Sequence, residues 1–508
     1  MMKQTISYVI LLALAFTSLG QELEVASIFT DHMVLQREKE VPVWGKSAPR
    51  EKVTVSFAGQ TLKTKAGKDG RWMVRLSPMK ASLEGRDLVV SGRQEVVISD
   101  VLVGEVWICS GQSNMQFNAN KSPEVRGLIP YAQNIRTFEV TRTVGLQEQE
   151  KVIGQWQEIH PSSAVAFSFA YFLQELAEVP VGIVLTAWGS SSIEAWMPRS
   201  MTGEVPHFKT IMEEFDADTA TAKRVQEIVA KGKSRTGKED VFLRRQPNIL
   251  YNAMMHPLIP FANRGLVWCQ GERNTRYLSG MPEVDEKNWF HRVCGMEEYG
   301  DVLKKWVQTY RQRWADEQMH FLVVMLPGFG KGTEAKKEID PESPTEPSWA
   351  WMRESQSKVL ELPNTSLINT IDLGEALDIH PADKLPIGQR GALLAAKRAL
   401  NLKVPADGPV MQKVEQREGQ LVVYFDDANR LKTTNGRKPS GFWIADESKN
   451  WVEAQAKIEG NRVVLSATEI GSPKYVRYAF AGKPKVNLVN EYGLPVYPFR
   501  TDDGEWGQ

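Results

Sequence analysis

The sequence predicts an α/β protein in which a parallel sheet, covered by helices on both faces, has a β-sandwich-like module at each end of the chain. From Gly104 to Leu400, short apolar runs alternate with segments of helical periodicity, which is typical of strands joined by crossover helices. The residues before Gly104 and after Pro405 contain short β-branched runs separated by turn residues. These stretches define three predicted domains, residues 21–103, 104–404 and 405–508.

Length and composition exclude several classes of protein. With 508 residues, the chain is long enough for about three domains and a large buried core. Its 62 lysines and arginines balance 62 aspartates and glutamates, so no overall positive field favours nucleic-acid binding. Hydrophobic residues make up 42% of the chain, an ordinary value for a globular protein.

Residues 1–20 have the features of a secretory signal peptide. Lys3 supplies a positive charge, residues 6–16 are almost continuously apolar, and residues 18–20 offer small side chains at a cleavage site. The apolar run is too short to span a bilayer core of about 30 Å comfortably. We therefore expect a secreted or periplasmic protein with no membrane segment after cleavage.

Short strands divided by glycine-containing turns are predicted in both terminal modules. In the N-terminal module they lie at residues 53–57, 72–76, 88–90 and 96–99. In the C-terminal module they lie at residues 421–425, 462–466 and 475–479. The first set indicates a small sandwich, and the second a separate β module.

The central region alternates between the two kinds of element. Its predicted strands lie at residues 106–109, 182–186, 266–270, 321–326 and 366–371. Its predicted helices lie at residues 165–178, 301–314, near 352–360, and 387–400. A segment rich in Glu, Lys and Ala, residues 208–235, predicts a helical insertion around 205–248 with a solvated charged face. Functional residues are expected at the carboxyl ends of the strands, where loops and helix N-termini converge.

The three cysteines favour a structural interpretation. An odd number leaves at least one thiol unpaired in an exported protein, and none of the cysteines has the C-x-x-C spacing of a zinc or redox site. Cys109 and Cys269 each end a predicted strand, so we predict small buried core residues.

A candidate nucleophile follows the first central strand, in the segment CSGQSNM at residues 109–115. Its small residues allow a sharp turn, and Ser113 would present a hydroxyl at the edge of the sheet. A serine after a strand is also a common helix N-cap. Met115 stands where the G-x-S-x-G elbow has its second glycine, which argues against an α/β-hydrolase.

A serine nucleophile needs a base, and His380 is the strongest candidate among the seven histidines. It follows the strand predicted at residues 366–371 and precedes a helix, so it can reach the same edge of the sheet. His256 is the second candidate.

A carboxylate would orient this base by accepting the imidazole N–H and would stabilise the imidazolium that forms. Asp378, two residues before the histidine, is the nearest candidate. Asp372 and Glu272 are alternatives, and the sequence does not choose among the three.

Two further strand ends could supply donors to a tetrahedral oxyanion, where losing one donor costs about 10²–10³ in rate. Gly189 has a sterically free N–H, with a plain turn as the alternative interpretation. Gln270 has a side-chain amide, with a buried structural amide as the alternative.

These segments form an ordered set of blocks. They are GQSNM at 111–115, Trp188-Gly189 with IEAW at 193–196, LYNAM at 250–254, Trp268 with QGE at 270–272, and DIHP at 378–381. Others are DHMVLQR at 31–37, residues 41–45, GLP at 493–495 and PFRTD at 498–502. Together they resemble the sialate O-acetylesterase family, within the SGNH hydrolases, over essentially the whole mature chain.

The resemblance implies a flavodoxin-like esterase core that removes acetyl groups from sugar hydroxyls without a metal or organic cofactor. Ser113 matches the family nucleophile and His380 the family base. The N–H groups of Ser113 and Gly189, with the side chain of Gln270, would hold the oxyanion. Residues expected to bind substrate or support the site are Gln112, Asn114, Trp188, Glu194, Trp196 and Glu272.

Three positions depart from the family pattern. Ser190 stands where a second glycine is common, and Arg273 replaces a small residue. Asp378 precedes the histidine by two residues, whereas many SGNH enzymes have three. A Ser-His dyad supported by backbone carbonyls is therefore an alternative to a triad.

The function predicted from these features is hydrolysis of an O-acetylated sugar or glycan through an acetyl-serine intermediate, with sialate esters as the first substrate. Acetylxylan or another plant polysaccharide is the alternative substrate, and an inactive carbohydrate-binding protein is the alternative of another class. Four tryptophans near the predicted site could stack on a sugar ring or pack in the core. They are Trp107, Trp188, Trp196 and Trp268.

Overall fold

The computed structural model describes residues 22–281, 286–331 and 339–504. The predicted signal peptide lies outside these residues. Among the described helices, none combines the length and the apolar character needed to cross a membrane.

The N-terminal region consists of strands whose side chains alternate between a buried and an exposed face. The strands are β1 (Glu24–Val25), β2 (Val34–Gln36), β3 (Val41–Lys46), β4 (Lys52–Phe57), β5 (Gln60–Lys65), β6 (Arg71–Leu76), β7 (Ser82–Ser91) and β8 (Glu95–Gly111). On β4, for example, Val53, Val55 and Phe57 are buried. One sheet has the order β1-β3-β6, whereas β4, β5 and β7 join a larger sheet through β8. The two sheets bury their apolar faces together, as the period-two pattern requires.

Strand β8 connects the N-terminal region to the central sheet. Its first half pairs with β7, and its second half lies between strands of the central sheet. Asp100 has a left-handed φ of 55°, which interrupts the regular strand where the β7–β8 register shifts. The domain boundary expected between residues 103 and 104 therefore falls inside one strand. The separate strands predicted at 96–99 and 106–109 are both parts of it.

The central sheet is parallel except at one edge, which confirms the predicted fold class. Its remaining strands are β9 (Ile135–Glu139), β10 (Trp156–Gln157), β11 (Val181–Ala187), β12 (Gly265–Cys269), β13 (His320–Val324) and β14 (Thr365–Ile368). Their order is β10-β9-β11-β8-β12-β13-β14, and only the β9–β10 pairing in this path is antiparallel. Strands β9, β10 and β11 all lie on one side of β8, with β11 next to it, and the chain crosses to the other side at β12. Such a reversal opens a crevice at the carboxyl end of the central strand.

Helices cover both faces of this sheet. They are α1 (Ser113–Gln116), α2 (Pro123–Leu128), α3 (Ala164–Ala177), α4 (Pro206–Ala217), α5 (Thr219–Ala230), α6 (Gly237–Leu243), α7 (Met296–Trp314), α8 (Ala350–Ser357) and α9 (Leu385–Arg398). Trp107 and Cys109 of β8 belong to the core beneath α3 and α9. Val106 and Ile108 point the other way, to the core that includes α7.

Helices α4 to α6 lie in the segment where a helical insertion was predicted. Phe208, Ile211 and Phe215 on α4 are buried, as are Val225 and Ile228 on α5. The charged residues therefore form only the outer face of an amphipathic layer, and the inner face packs on the core.

The C-terminal region is again composed of short strands. They are β15 (Val410–Arg417), β16 (Gln420–Asp426), β17 (Leu431–Thr433), β18 (Phe442–Ala445), β19 (Trp451–Glu453), β20 (Gln455–Glu459), β21 (Arg462–Ser466), β22 (Tyr475–Tyr478), β23 (Leu488–Asn490) and β24 (Phe499–Arg500). The region contacts α8, where Arg500 Nε donates to Glu354 Oε1 at 2.8 Å and Arg353 donates to the carbonyl of Ala481. A buried ion pair between Arg477 and Asp502 holds its last segment.

Candidate active site

Ser113 lies at the carboxyl end of the central strand β8. Gly111 immediately precedes the turn with φ = 138°, and a Cβ on it would lie 2.1 Å from the carbonyl oxygen of Cys269. Only glycine fits this close approach between β8 and β12. The chain then turns into α1, whose first residue is Ser113. The serine is partly exposed in the crevice where the strand order reverses.

His380 reaches Ser113 from the loop between β14 and α9. Its Nε2 lies 2.8 Å from Ser113 Oγ, a hydrogen-bonding distance between a potential base and a potential nucleophile. Burial lowers the pKa of His380 below its usual 6.5, and the charge of Lys384 lowers it further, whereas Asp378 opposes the shift. The imidazole is therefore neutral near pH 7 and can accept the serine proton.

The three candidate carboxylates have different partners. Asp378 Oδ1 accepts a hydrogen bond from the backbone N–H of His380 at 2.8 Å. Asp372 pairs with Arg390 through two contacts of 2.7 and 2.6 Å. Glu272 accepts from the amide of Asn114. Within the described residues, none of the three is hydrogen-bonded to Nδ1 of His380. Asp378 supports the histidine loop and contributes negative charge beside the ring.

Gly189 lies directly beside the candidate nucleophile. A Cβ on Gly189 would lie 3.1 Å from the Cβ of Ser113, so a larger residue would crowd the serine. The Gly189 N–H donates to Gln116 Oε1 at 2.9 Å. A carbonyl-type oxygen thus already occupies the position expected for an oxyanion. The N–H of Ser113, at the start of α1, has no intrahelical acceptor and is the second available donor.

Gln270 does not supply the expected side-chain donor. It is fully buried, and its Nε2 donates to Asn274 Oδ1 at 2.9 Å and to Gln112 Oε1 and Ser191 O at 3.2 Å each. Tyr299 also donates to Gln270 Oε1 at 2.7 Å. Because every polar atom of this amide is occupied, the side chain supports the loops under the site rather than facing it.

Asn114 is the centre of a buried network beneath the Ser-His pair. Its Nδ2 donates to Glu272 Oε1 at 2.5 Å and to the backbone oxygen of Ile379 at 3.1 Å. Lys384 Nζ donates to Asn114 Oδ1 at 2.7 Å. Burial raises the pKa of Glu272 and lowers that of Lys384, so the low-dielectric surroundings oppose both charges. The bond to Ile379 ties the residue before His380 to the residue after Ser113.

The tryptophans expected near the site are core residues. Trp107, Trp188, Trp196 and Trp268 are all fully buried, which leaves none of them open to stack on a sugar. Trp268 packs edge-on against Trp196 with centroids 6.2 Å apart. Trp188 Nε1 donates to Asp240 Oδ2 at 3.2 Å.

Glu194 has a supporting rather than a substrate-facing position. It is buried, and burial alone would raise its pKa, but contacts from His207 and the backbone N–H of Cys294 outweigh this and lower the pKa to about 2. Asn274 also donates to both of its oxygens. Glu194 therefore anchors the loop of Asn274 as a carboxylate.

Glu194, His207 and Cys294 form a group of metal-ligating residue types close to the site. Burial raises the pKa of the Cys294 thiol well above its usual value, and the Glu194 charge adds to the shift. These surroundings favour the protonated thiol over the thiolate. Cys109 and Cys269 are buried free thiols, as predicted for core residues.

His256, the alternative base, lies elsewhere. Its Nδ1 is 2.9 Å from the carbonyl of Gln149, and its Nε2 is 3.1 Å from a carboxylate oxygen of Glu148. It lines a cavity of about 500 Å³ beside the N-terminal region, together with Trp44 and Trp72.

Three supporting residues were missed by sequence reasoning: Gln116, Asn274 and Lys384. Asn274 lies two residues after the QGE block, and its closeness to that block was the available signal. Lys384 opens α9 without any pattern that distinguishes it from a surface lysine. Gln116 ends the GQSNM turn and could have been identified only from the geometry of Gly189.

Comparisons with known proteins agree with this architecture. A family model described as a carbohydrate esterase, sialic acid-specific acetylesterase, matches residues 103–395. The human protein named sialate O-acetylesterase is 27% identical over 513 residues, covering 92% of this chain and 89% of that protein. The mouse protein of the same name is 26% identical over 541 residues, covering 94% and 92%.

A solved structure extends the similarity to three dimensions. A carbohydrate acetylesterase from Xanthomonas citri is 31% identical, with a TM-score of 0.77, and the match covers 95% of this chain and 100% of that one. The family match begins within β8 and includes both the strand end that carries Ser113 and the loop that carries His380. The chain therefore belongs to the carbohydrate esterase family of sialic acid-specific acetylesterases and is an esterase that acts on O-acetylated carbohydrates.

Proposed function

We propose that the protein is a secreted sialate O-acetylesterase that releases acetate through an acetyl-serine intermediate. The observation that carries this proposal is the 2.8 Å contact between Ser113 Oγ and His380 Nε2 at the centre of the sheet edge. The names of the human and mouse relatives support sialate esters as substrate. The signal-peptide features of residues 1–20 support export.

In the first half of the reaction, His380 Nε2 takes the Ser113 proton as Ser113 Oγ attacks the acetyl carbonyl. The carbonyl oxygen becomes an oxyanion, which displaces the Gln116 oxygen and accepts from the N–H groups of Gly189 and Ser113. The intermediate then collapses, His380 protonates the departing sugar oxygen, and the free sugar alcohol leaves. The acetyl group remains esterified to Ser113.

In the second half, water repeats the attack. His380 removes a proton from water, the hydroxide attacks the acetyl-serine carbonyl, and the same two N–H groups hold the oxyanion. The Ser113 oxygen is then expelled and reprotonated by His380, and acetate leaves. Asp378 stabilises the imidazolium of both halves through its negative charge while its Oδ1 holds the backbone of the histidine.

Acetate release from a panel of substrates tests this proposal. The mature protein is incubated in parallel with O-acetylated sialic acid, acetylated xylan and p-nitrophenyl acetate. Release from the sialic acid with a higher kcat/KM than from xylan is expected. Release from xylan alone would retain the mechanism and assign a different substrate, and no release from any of the three would favour a binding protein without turnover.

A further inference from the structure

Three arginines lie together beside the candidate active site. Arg273 follows Glu272 in the loop after β12, Arg276 lies three residues later, and Arg245 follows α6. The Nε and Nη2 atoms of Arg245 donate to Ser190 Oγ at 3.3 and 3.0 Å. Arg273 Nη2 lies 3.0 Å from Nδ1 of His291.

Two separate contacts attach this cluster to the immediate neighbours of the nucleophile. Ser190, which holds Arg245, directly follows Gly189, the residue packed against Ser113. The backbone N–H of Arg273 donates to Gln112 Oε1 at 3.3 Å, and Gln112 directly precedes Ser113. Arg245 is thus bonded to the loop after β11 and Arg273 lies in the loop after β12, and both loops adjoin the serine.

The positive charges of the cluster have no carboxylate partner among the side chains that the structure describes. In residues 22–281, 289–331 and 339–504, no carboxylate lies within 4 Å of a guanidinium nitrogen of Arg245, Arg273 or Arg276. Glu194 is near enough to influence Arg273, but its oxygens are already bonded to His207, Cys294 and Asn274. Arg264, another shielded arginine, is paired directly with Glu105, whereas the buried Arg311 and Arg353 donate to backbone carbonyls.

The electrostatic effects of this crowding are visible within the cluster. Burial lowers the pKa of Arg273 to about 10, and the charges of Arg245 and Arg276 add to the shift. Burial lowers the pKa of His291 to about 4, and Arg273, Arg276 and Arg245 reinforce this. Holding like charges together costs stability unless an anion relieves their repulsion.

We propose that Arg245, Arg273 and Arg276 form a carboxylate subsite that selects O-acetylated acidic sugars over neutral ones. This inference rests on the proposed esterase function and adds the residues that determine its specificity. Guanidinium groups offer paired N–H donors whose geometry matches a carboxylate. Sialic and uronic acids both carry such a group, and either would place it beside an ester bound at Ser113.

Substrates that differ only in the carboxylate test the subsite. We would measure kcat/KM for an O-acetylated sialic acid and for its carboxyl methyl ester, and for O-acetylated galacturonic acid and its methyl ester. The wild-type protein is expected to prefer a free acid over its methyl ester about ten- to hundredfold, the range of one or two charge-assisted hydrogen bonds. The acid with the larger preference over its own methyl ester identifies the class of acid that the subsite binds.

Variants then assign the preference to the arginines. Arg273→Gln and Arg245→Gln are each expected to lower the acid-to-ester ratio about tenfold or more, mainly through KM for the free acid. Arg276→Gln, on the exposed side of the cluster, provides a variant with little risk to folding. Arg75→Gln is the matched control, because this exposed arginine lies on β6 in the N-terminal sheet and should leave the ratio unchanged.

Hydrolysis of p-nitrophenyl acetate separates failure of the subsite from failure of the proposed function. In that assay, N-acetylneuraminate or galacturonate should inhibit more strongly than its methyl ester, and the difference should shrink in the arginine variants. Active protein with an acid-to-ester ratio near one and no difference in inhibition would overturn the subsite alone. A ratio that persists in all three arginine variants would also overturn it. Protein that is inactive even on p-nitrophenyl acetate would refute the esterase mechanism. In that case, tighter binding of the free acids than of their methyl esters, measured by calorimetry, would still support the subsite.

Discussion

Ser113 Oγ and His380 Nε2 lie 2.8 Å apart although 267 positions separate the two residues. The serine follows the central strand β8, whereas the histidine arrives from the loop after β14, the outermost strand on that side. The hydrogen bond from Asn114 to the carbonyl of Ile379 fixes this long loop next to the serine. The geometry of the pair therefore depends on an amide that touches neither reacting atom.

Replacing Asn114 should consequently impair both catalysis and stability. In Asn114→Ala, Glu272 loses its hydrogen-bond donor and Lys384 its acceptor, and the histidine loop is released. We expect kcat to fall about 10²-fold, the effect of displacing a reacting group by about 1 Å. The free energy of unfolding, measured in urea, should fall by about 2 kcal/mol or more. Asn120→Ala, an exposed amide nearby, is the control, and equal effects of the two substitutions would contradict this role.

Neutralising Glu272 should have a much smaller effect. Burial raises the pKa of this carboxyl, and its Oε2 has no hydrogen-bond partner among the described residues. In Glu272→Gln, the amide oxygen can still accept from Asn114, so we expect kcat within a few-fold of wild type and unchanged or greater stability. A folded variant with kcat reduced by about 10⁴ would instead identify Glu272 as the carboxylate that acts on His380.

Asp378→Asn separates the charge of this residue from its hydrogen bond. The amide oxygen can still accept from the backbone N–H of His380, so the loop is retained and only the negative charge is lost. We expect kcat to fall about ten- to hundredfold, less than the roughly 10⁴-fold loss when a carboxylate bonded to the imidazole is changed to an amide. Asp378→Ala should be more severe because it also frees the loop. Equal rates for wild type and both variants would exclude Asp378 from the mechanism.

The pH profile should reflect the neighbours of His380. Activity requires the neutral imidazole, so it rises as pH increases through the pKa of His380. Because that pKa is lowered, the acidic limb of kcat/KM should have its midpoint below 6.5. Removing the positive charge in Lys384→Met should move this midpoint up, and removing the negative charge in Asp378→Asn should move it down. A shift in the same direction in both variants would contradict this electrostatic account.

The sequence predicted the fold class and the Ser113–His380 contact because each depends on a local pattern. Strands such as β21 have strong β-branched periodicity, and the serine and histidine both follow strands of one parallel sheet, whose carboxyl ends meet. The length of β8 was not predictable in the same way. In the sequence, the segment around Asp100 looks like a turn that ends a strand. In the structure, pairing with β7, β11 and β12 keeps the chain extended on both sides of this residue.

At other positions the sequence left two interpretations open, because burial depends on tertiary packing. Trp188 and Trp196 lie in site blocks, yet both side chains are buried in the core. Gln270 was predicted as an oxyanion donor. Its amide nitrogen instead donates to three acceptors, two on loops and one on the GQSNM turn. Lys384 is separated from Asn114 by 270 positions, so no local pattern could reveal their contact.

The role of Ser113 as nucleophile is tested by acetate release from Ser113→Ala and Ser110→Ala, measured side by side with the wild type. Ser110 lies three residues earlier, is fully buried, and its hydroxyl has no hydrogen-bond partner among the described residues. We predict that Ser113→Ala loses about 10⁴-fold or more in kcat while Ser110→Ala retains activity. Wild-type rates in folded Ser113→Ala would show that the pair formed by Ser113 and His380 does not carry the reaction.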